Sequence, residues 1–161
     1  MNPVFSYDRE RESYRLQAQV WLPRARAEVF DFFCDAFNLE TLTPAFLHFH
    51  VLTPRPIVMQ RGSLIDYSLR LHRIPVRWQS EISEWEPPVM FVDRQVRGPY
   101  RLWHHEHRFE EQNGGTLCLD DIHYRVPGRA LVHRLLVKAD LARIFTFRQT
   151  KLLELFGDAA T

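Results

Sequence analysis

The chain has 161 residues and a formal net charge of +1 with its histidines neutral. That is length enough for one domain with a real core, and there is no basic surplus of the kind that grips nucleic acid. No stretch approaches the roughly 20 apolar residues of a membrane span, and residues 1–10 lack the apolar centre of a secretion signal.

Two cysteines, Cys34 and Cys118, are too few for a disulfide framework or a zinc finger. They read as buried free thiols, and the chain as a soluble, cytoplasmic protein. Residues 1–12 are polar and are expected to lie loosely against the body. Ser13 to Trp21 alternates, with Tyr14, Leu16, Ala18 and Val20 on one side, as a half-buried strand does. Pro23 then stops the ladder, because it lacks a donor. Arg24 to Phe33 is helical in pattern, with Val29, Phe30, Phe32 and Phe33 as a broad apolar face. A second short helix is expected over Ala36 to Thr41, ahead of Pro44.

Strands follow in close order. Phe46 to Leu52 reads as extended. Gly62 to Leu71 places Ile65, Tyr67, Leu69 and Leu71 together, and Val76 to Trp85 places Val76, Trp78, Ser80 and Ile82 together. Val89 to Arg97 puts Phe91, Asp93, Gln95 and Arg97 on one face. After the Gly98-Pro99 turn, Trp103, His105, His107 and Phe109 share a face that is aromatic at both ends, with two imidazoles between. Asn113-Gly114 is a strong hairpin signal, since a type I′ turn needs positive φ at both central residues. The strand beyond it carries Cys118, Asp120, Ile122, Tyr124 and Val126 on one side. If the two faces coincide, a carboxylate and a phenol join the imidazoles.

Residues from about Ala130 to Phe156 predict a long helix, roughly 40 Å at about 1.5 Å per residue. Its expected apolar stripe is Leu131, Leu135, Ala142, Phe145, Leu152 and Phe156, interrupted by Lys138 and Gln149. His104, His123 and His133 are expected to be solvated. The order is a strand, two short helices, six further strands and a long helix: about seven antiparallel strands in an α+β domain. A curved sheet wrapped around one helix leaves space between them, and such hollows are common ligand sites.

Element order, the run Phe91-Val92-Asp93-Arg94-Gln95-Val96-Arg97-Gly98-Pro99-Tyr100, the following Trp103 to Phe109, and Tyr124-Arg125-Val126-Pro127 carry a family resemblance. The chain resembles the START-like superfamily, or SRPBCC, over roughly residues 13–157. It looks most like the small bacterial ligand-binding members of unassigned function. The resemblance implies a helix-grip fold spanning 1–161 as a single domain. It also implies an internal cavity for a small hydrophobic or amphipathic molecule.

The candidate ligand-binding residues are Tyr67, Trp78, Phe91, Asp93, Gln95, Trp103, His105, His107, Phe109, Asp120, Tyr124, Ala142 and Phe145. The first function class is a binding module: aromatic walls give affinity at roughly 25 cal/mol per Å² buried, and a few polar groups orient the ligand. The second is a cyclase, dehydratase or hydrolase acting on a polyketide-like or lipid-like substrate. There His105 or His107 would be the general base, oriented by Asp93 or Asp120. The third is a metal centre on His105-x-His107, which Asp93 and Asp120 on neighbouring strands could complete, though His-x-His alone is a weak signal. A fully satisfied buried network with no ligand is the plain alternative. The expectation is a ligand-binding protein with no metal and no cofactor, present as a monomer or homodimer.

Overall fold

A computed structural model describes residues 2–157. Eight strands form one sheet: β1 (Val4–Asp8), β2 (Ser13–Leu22), β3 (His50–Val51), β4 (Leu64–Leu71), β5 (Ile74–Glu86), β6 (Met90–Arg97), β7 (Leu102–Gln112) and β8 (Gly115–Arg125). Their order across the sheet is β1-β2-β8-β7-β6-β5-β4-β3, and all neighbours are antiparallel. Two short helices, α1 (Arg26–Cys34) and α2 (Asn38–Thr41), follow β2. The chain ends in α3 (Arg129–Val132), a π-helical turn (His133–Val137) and α4 (Lys138–Phe156).

Local chemistry accounts for the register. Asn113 and Gly114 take φ of 50° and 74°, which closes β7 onto β8 with Gln112 opposite Gly115. Every second residue of both strands then faces the same side. His105, His107 and Phe109 of β7 are buried together with Cys118, Asp120, Ile122 and Tyr124 of β8. Register shifts in β5 between Gln79 and Ser80, and between Ile82 and Glu84, mark bulges. Bulges bend a strand and strengthen its twist. The second also changes the parity, so that Trp85 packs on Phe30 of α1 at 5.3 Å between ring centroids.

Two apolar clusters flank the concave face. One joins Val29, Phe30 and Phe33 of α1 to Phe91, Phe109 and the end of α4 at Leu152 and Phe156. The other joins Leu16, Ile122 and Tyr124 to Leu141 and Phe145 of α4.

Several expectations need correction. Residues 4–8 are a paired edge strand, with Val4 opposite Gln17, so the sheet has eight strands. The mixed-charge turn over residues 9–12 hid the hairpin. Phe46 to Leu52 is mostly not extended: Ala45–Leu47 is a 3-10 turn and only His50–Val51 pairs.

The helical stripe is out of phase at its start. Leu131 and Leu135 are 60% and 61% exposed, and Ala142 is half-buried. The buried positions are His133, Leu141, Phe145, Arg148, Gln149, Leu152 and Phe156. A π turn fits an extra residue into one turn, so the α-helical phase before it does not carry through. His133 therefore turns inward, stacked on Tyr14 at 3.5 Å between centroids and hydrogen-bonded to Tyr124 Oη at 2.9 Å. His123 is also buried, paired with Ser13 Oγ at 3.1 Å.

Adjacent leucines on α4 should separate by burial. Leu152→Ala removes a side chain that is 1% exposed and should cost about 3 kcal/mol. Leu153→Ala, at 47% exposed, should cost about 0.5 kcal/mol or less. Urea denaturation of the two variants measures the difference.

Candidate functional site

Between the concave sheet and α4 lies a hollow of about 180 Å³. Eight of the thirteen expected residues stand in its wall: Tyr67, Trp78, Phe91, Asp93, Trp103, His105, His107 and Phe145. The other five do not. Gln95 clamps the turn before β7, donating Nε2–H to Tyr100 O at 2.7 Å and accepting Tyr100 N–H at 3.1 Å. Phe109 is packed under α1 against Phe30 and Phe33. Asp120 sits behind the imidazoles, Tyr124 is bonded to His133, and Ala142 falls one position off the inward face of α4. Alternation sorted faces correctly, but a shared face extends beyond the hollow in both directions.

The wall also holds residues that sequence reasoning missed, chiefly Tyr100, Leu141, Ile144 and Arg148. Arg148 had a readable signal. It lies three residues after Phe145 and four before Leu152, on the same inward stripe. A guanidinium there was easy to dismiss as solvated.

One end of the hollow is polar. β-Strand periodicity sets His105 and His107 side by side, and the register puts Asp93 opposite His105 and Asp120 opposite His107. His105 Nε2–H donates to Asp120 Oδ1 at 2.8 Å, and His107 Nε2–H donates to Asp93 Oδ2 at 2.8 Å. From α4, Arg148 Nη2 donates to His107 Nδ1 at 3.3 Å and stands 3.5 Å from Asp120 Oδ1. With His107 Nδ1 accepting here, Nε2 carries the proton given to Asp93, and Nδ1 also lies 3.3 Å from Asp120 Oδ1. The two imidazoles are 3.6 Å apart between centroids, and His107 also stacks on Phe91 at 4.2 Å. Arg148 lies over the Phe33 ring, and its Nε is buried without a hydrogen-bond partner.

Burial alone would raise both carboxyls. The hydrogen bond from His107 and the nearby His105 instead hold Asp93 below its usual range. Arg148 and the hydrogen bond from His105 hold Asp120 well below it. Burial and the neighbouring His107 push His105 down to about 4.

Asp93, His105 and His107 offer three ligand atoms within 4.8 Å of one another. Their orientation suits hydrogen bonding better than coordination. The imidazole planes are only 33° from parallel, so in-plane lone pairs run side by side instead of converging on one ion.

No family model and no curated protein matches the chain. Solved structures do. The Zhui aromatase/cyclase from Streptomyces sp. R1128 is 12% identical, with a TM-score of 0.68 over 88% of this chain and 92% of that one. The ginseng major latex-like protein 151 from Panax ginseng is 10% identical, with a TM-score of 0.66 over 89% and 97%. Ara h 8.0201 is 12% identical, with a TM-score of 0.61 over 88% and 99%. The chain has the START-like, or SRPBCC, helix-grip fold. At these identities the likeness is one of fold. In helix-grip terms, the long grip helix is α4, and the polar cluster stands where the gripped face meets it.

The cluster sets an acid limit on stability. His105 has a folded pKa of about 4 against 6.5 for the free group. Between those values the unfolded chain binds a proton that the folded chain refuses, so stability falls as pH drops through that window. Asp93 and Asp120, both lowered from 3.8, remove more stability below that value. Urea midpoints measured from neutral pH down to about pH 4.5 should decline, and His105→Gln should flatten the decline. A level profile in the wild type would contradict this charge assignment.

Proposed function

We propose that the chain, as one START-like domain, holds a small apolar or amphipathic molecule in the hollow between the sheet and α4. One observation carries the reading. The hollow has a wall of aromatic and aliphatic side chains and a charged cluster of Asp93, His105, His107 and Arg148. Such a site takes its affinity from burial and its orientation from a few directed polar groups. An apolar cavity of about 150 Å³ accepts benzene, so a hollow of about 180 Å³ suits a guest of one ring with a short substituent.

Acid–base catalysis fits less well. Each imidazole already donates to a carboxylate, and each is only 5% exposed. A general base must reach the proton it removes. The fold shared with an aromatase/cyclase does not supply that reach, because fold and chemistry separate freely.

Two measurements test the reading. Native mass spectrometry of freshly purified protein should find a co-purifying small molecule. Benzyl alcohol should shift the indole N–H resonances of Trp78 and Trp103 in an NMR titration. Ile144→Trp, which enlarges a wall residue, should weaken that binding by about tenfold or more while the chain stays folded. If no one-ring compound moves a wall resonance, the binding reading fails.

A further inference from the structure

The obvious guess for a cavity with a buried arginine is an anionic guest, and the geometry points the other way. Within the polar end Asp93 and Asp120 contribute two negative charges. Arg148 contributes one positive charge, and each imidazole donates one hydrogen bond to a carboxylate. With both imidazoles neutral, the sum is one unpaired negative charge in a buried place, which is costly unless something balances it.

Access settles which charge a guest would meet. The Asp93 side chain is 20% exposed, against 10% for Asp120, 7% for Arg148 and 5% for each histidine. Asp93 and Arg148 line the hollow and Asp120 does not. The guanidinium is already turned to His107 and Asp120 through Nη2, and its Nε is buried near the Phe33 ring. Of the two charged groups in the wall, the carboxylate is the more open to a guest.

The adjoining wall favours positive charge as well. Trp78, Tyr100 and Trp103 line the hollow with ring centroids 4.8 to 5.6 Å apart, and Trp103 lies 6.2 Å from His105. Aromatic faces attract cations, most strongly where water is excluded.

We propose that the hollow takes an organic cation: a protonated amine on a compact apolar body, with its ammonium donating to Asp93 and its body against Trp78, Tyr100 and Trp103. The inference rests on the binding reading above and adds the charge of the guest.

The test compares three guests of one size near neutral pH: benzylamine, which is cationic, benzyl alcohol, which is neutral, and benzoate, which is anionic. Each is titrated into the full chain while the Trp78 and Trp103 indole resonances are followed. Benzylamine should bind about tenfold or more tighter than benzoate, with benzyl alcohol between them. Asp93→Asn should remove most of the amine's advantage over benzyl alcohol. Ile144→Trp should abolish the amine-induced shifts, which ties them to the hollow rather than to the surface.

Equal binding of all three, or tighter binding of benzoate, would overturn the inference and leave the binding reading standing. Equal binding is also the outcome if the stacked imidazole pair itself carries the balancing proton. Retention of the amine preference in Asp93→Asn would overturn it too. If that variant does not fold, the order of the three guests on the wild-type chain decides. Failure of all three to bind would overturn the binding reading and the inference together.

Discussion

Two carboxylates buried beneath the concave face of a sheet must find donors there, because water cannot reach them in quantity. Asp93 and Asp120 find them in His107, His105 and Arg148. Much of the structure follows from keeping that set together. The β7–β8 register must hold His107 opposite Asp120, and the β6–β7 register must hold Asp93 opposite His105. A slip of one residue would send every one of these side chains to the outer face. The Asn113-Gly114 turn fixes the first register, so a two-residue turn at the far end of the hairpin decides where the charges sit.

The fourth member comes from a different part of the chain. Arg148 reaches the cluster because α4 crosses the concave face in a phase that puts Phe145, Arg148 and Leu152 inward together. The π turn before it lets the preceding residues run in their own phase, with His133 pinned between Tyr14 and Tyr124. The polar cluster lies at the seam between the two apolar clusters, with His107 against Phe33 and Phe91, and His105 against Phe145. The hollow lies beside that seam.

Stacked imidazoles weigh against the metal centre that the residue types suggest. Two histidines two apart on a strand, with an aspartate across the ladder, supply suitable atoms. Coordination needs their lone pairs to converge, and here the rings lie face to face. The arrangement favours one hydrogen bond per imidazole to its own carboxylate, and Asp93 is the most exposed member of the set.

The amino-acid sequence by itself determined the strands, most of their faces and the long final helix. Alternation and turn chemistry are local, and β4, β6, β7 and β8 obey them: Tyr67, Asp93, His105, His107, Asp120 and Tyr124 all turned to the expected side. It did not determine the helical phase, because a π turn leaves no clear mark in a run such as His133-Arg134-Leu135-Leu136-Val137. Nor did it reveal that Val4–Asp8 pairs at the sheet edge, since that strand is short and mostly exposed. Only the tertiary structure decided which residues of a shared face border the hollow. Gln95 was drawn to a turn and Phe109 into a core cluster, while a charged residue of α4 was drawn inward. The physical reason is that burial and charge balance are settled between elements: Arg148 turns inward because Asp120 and His107 are there to receive it.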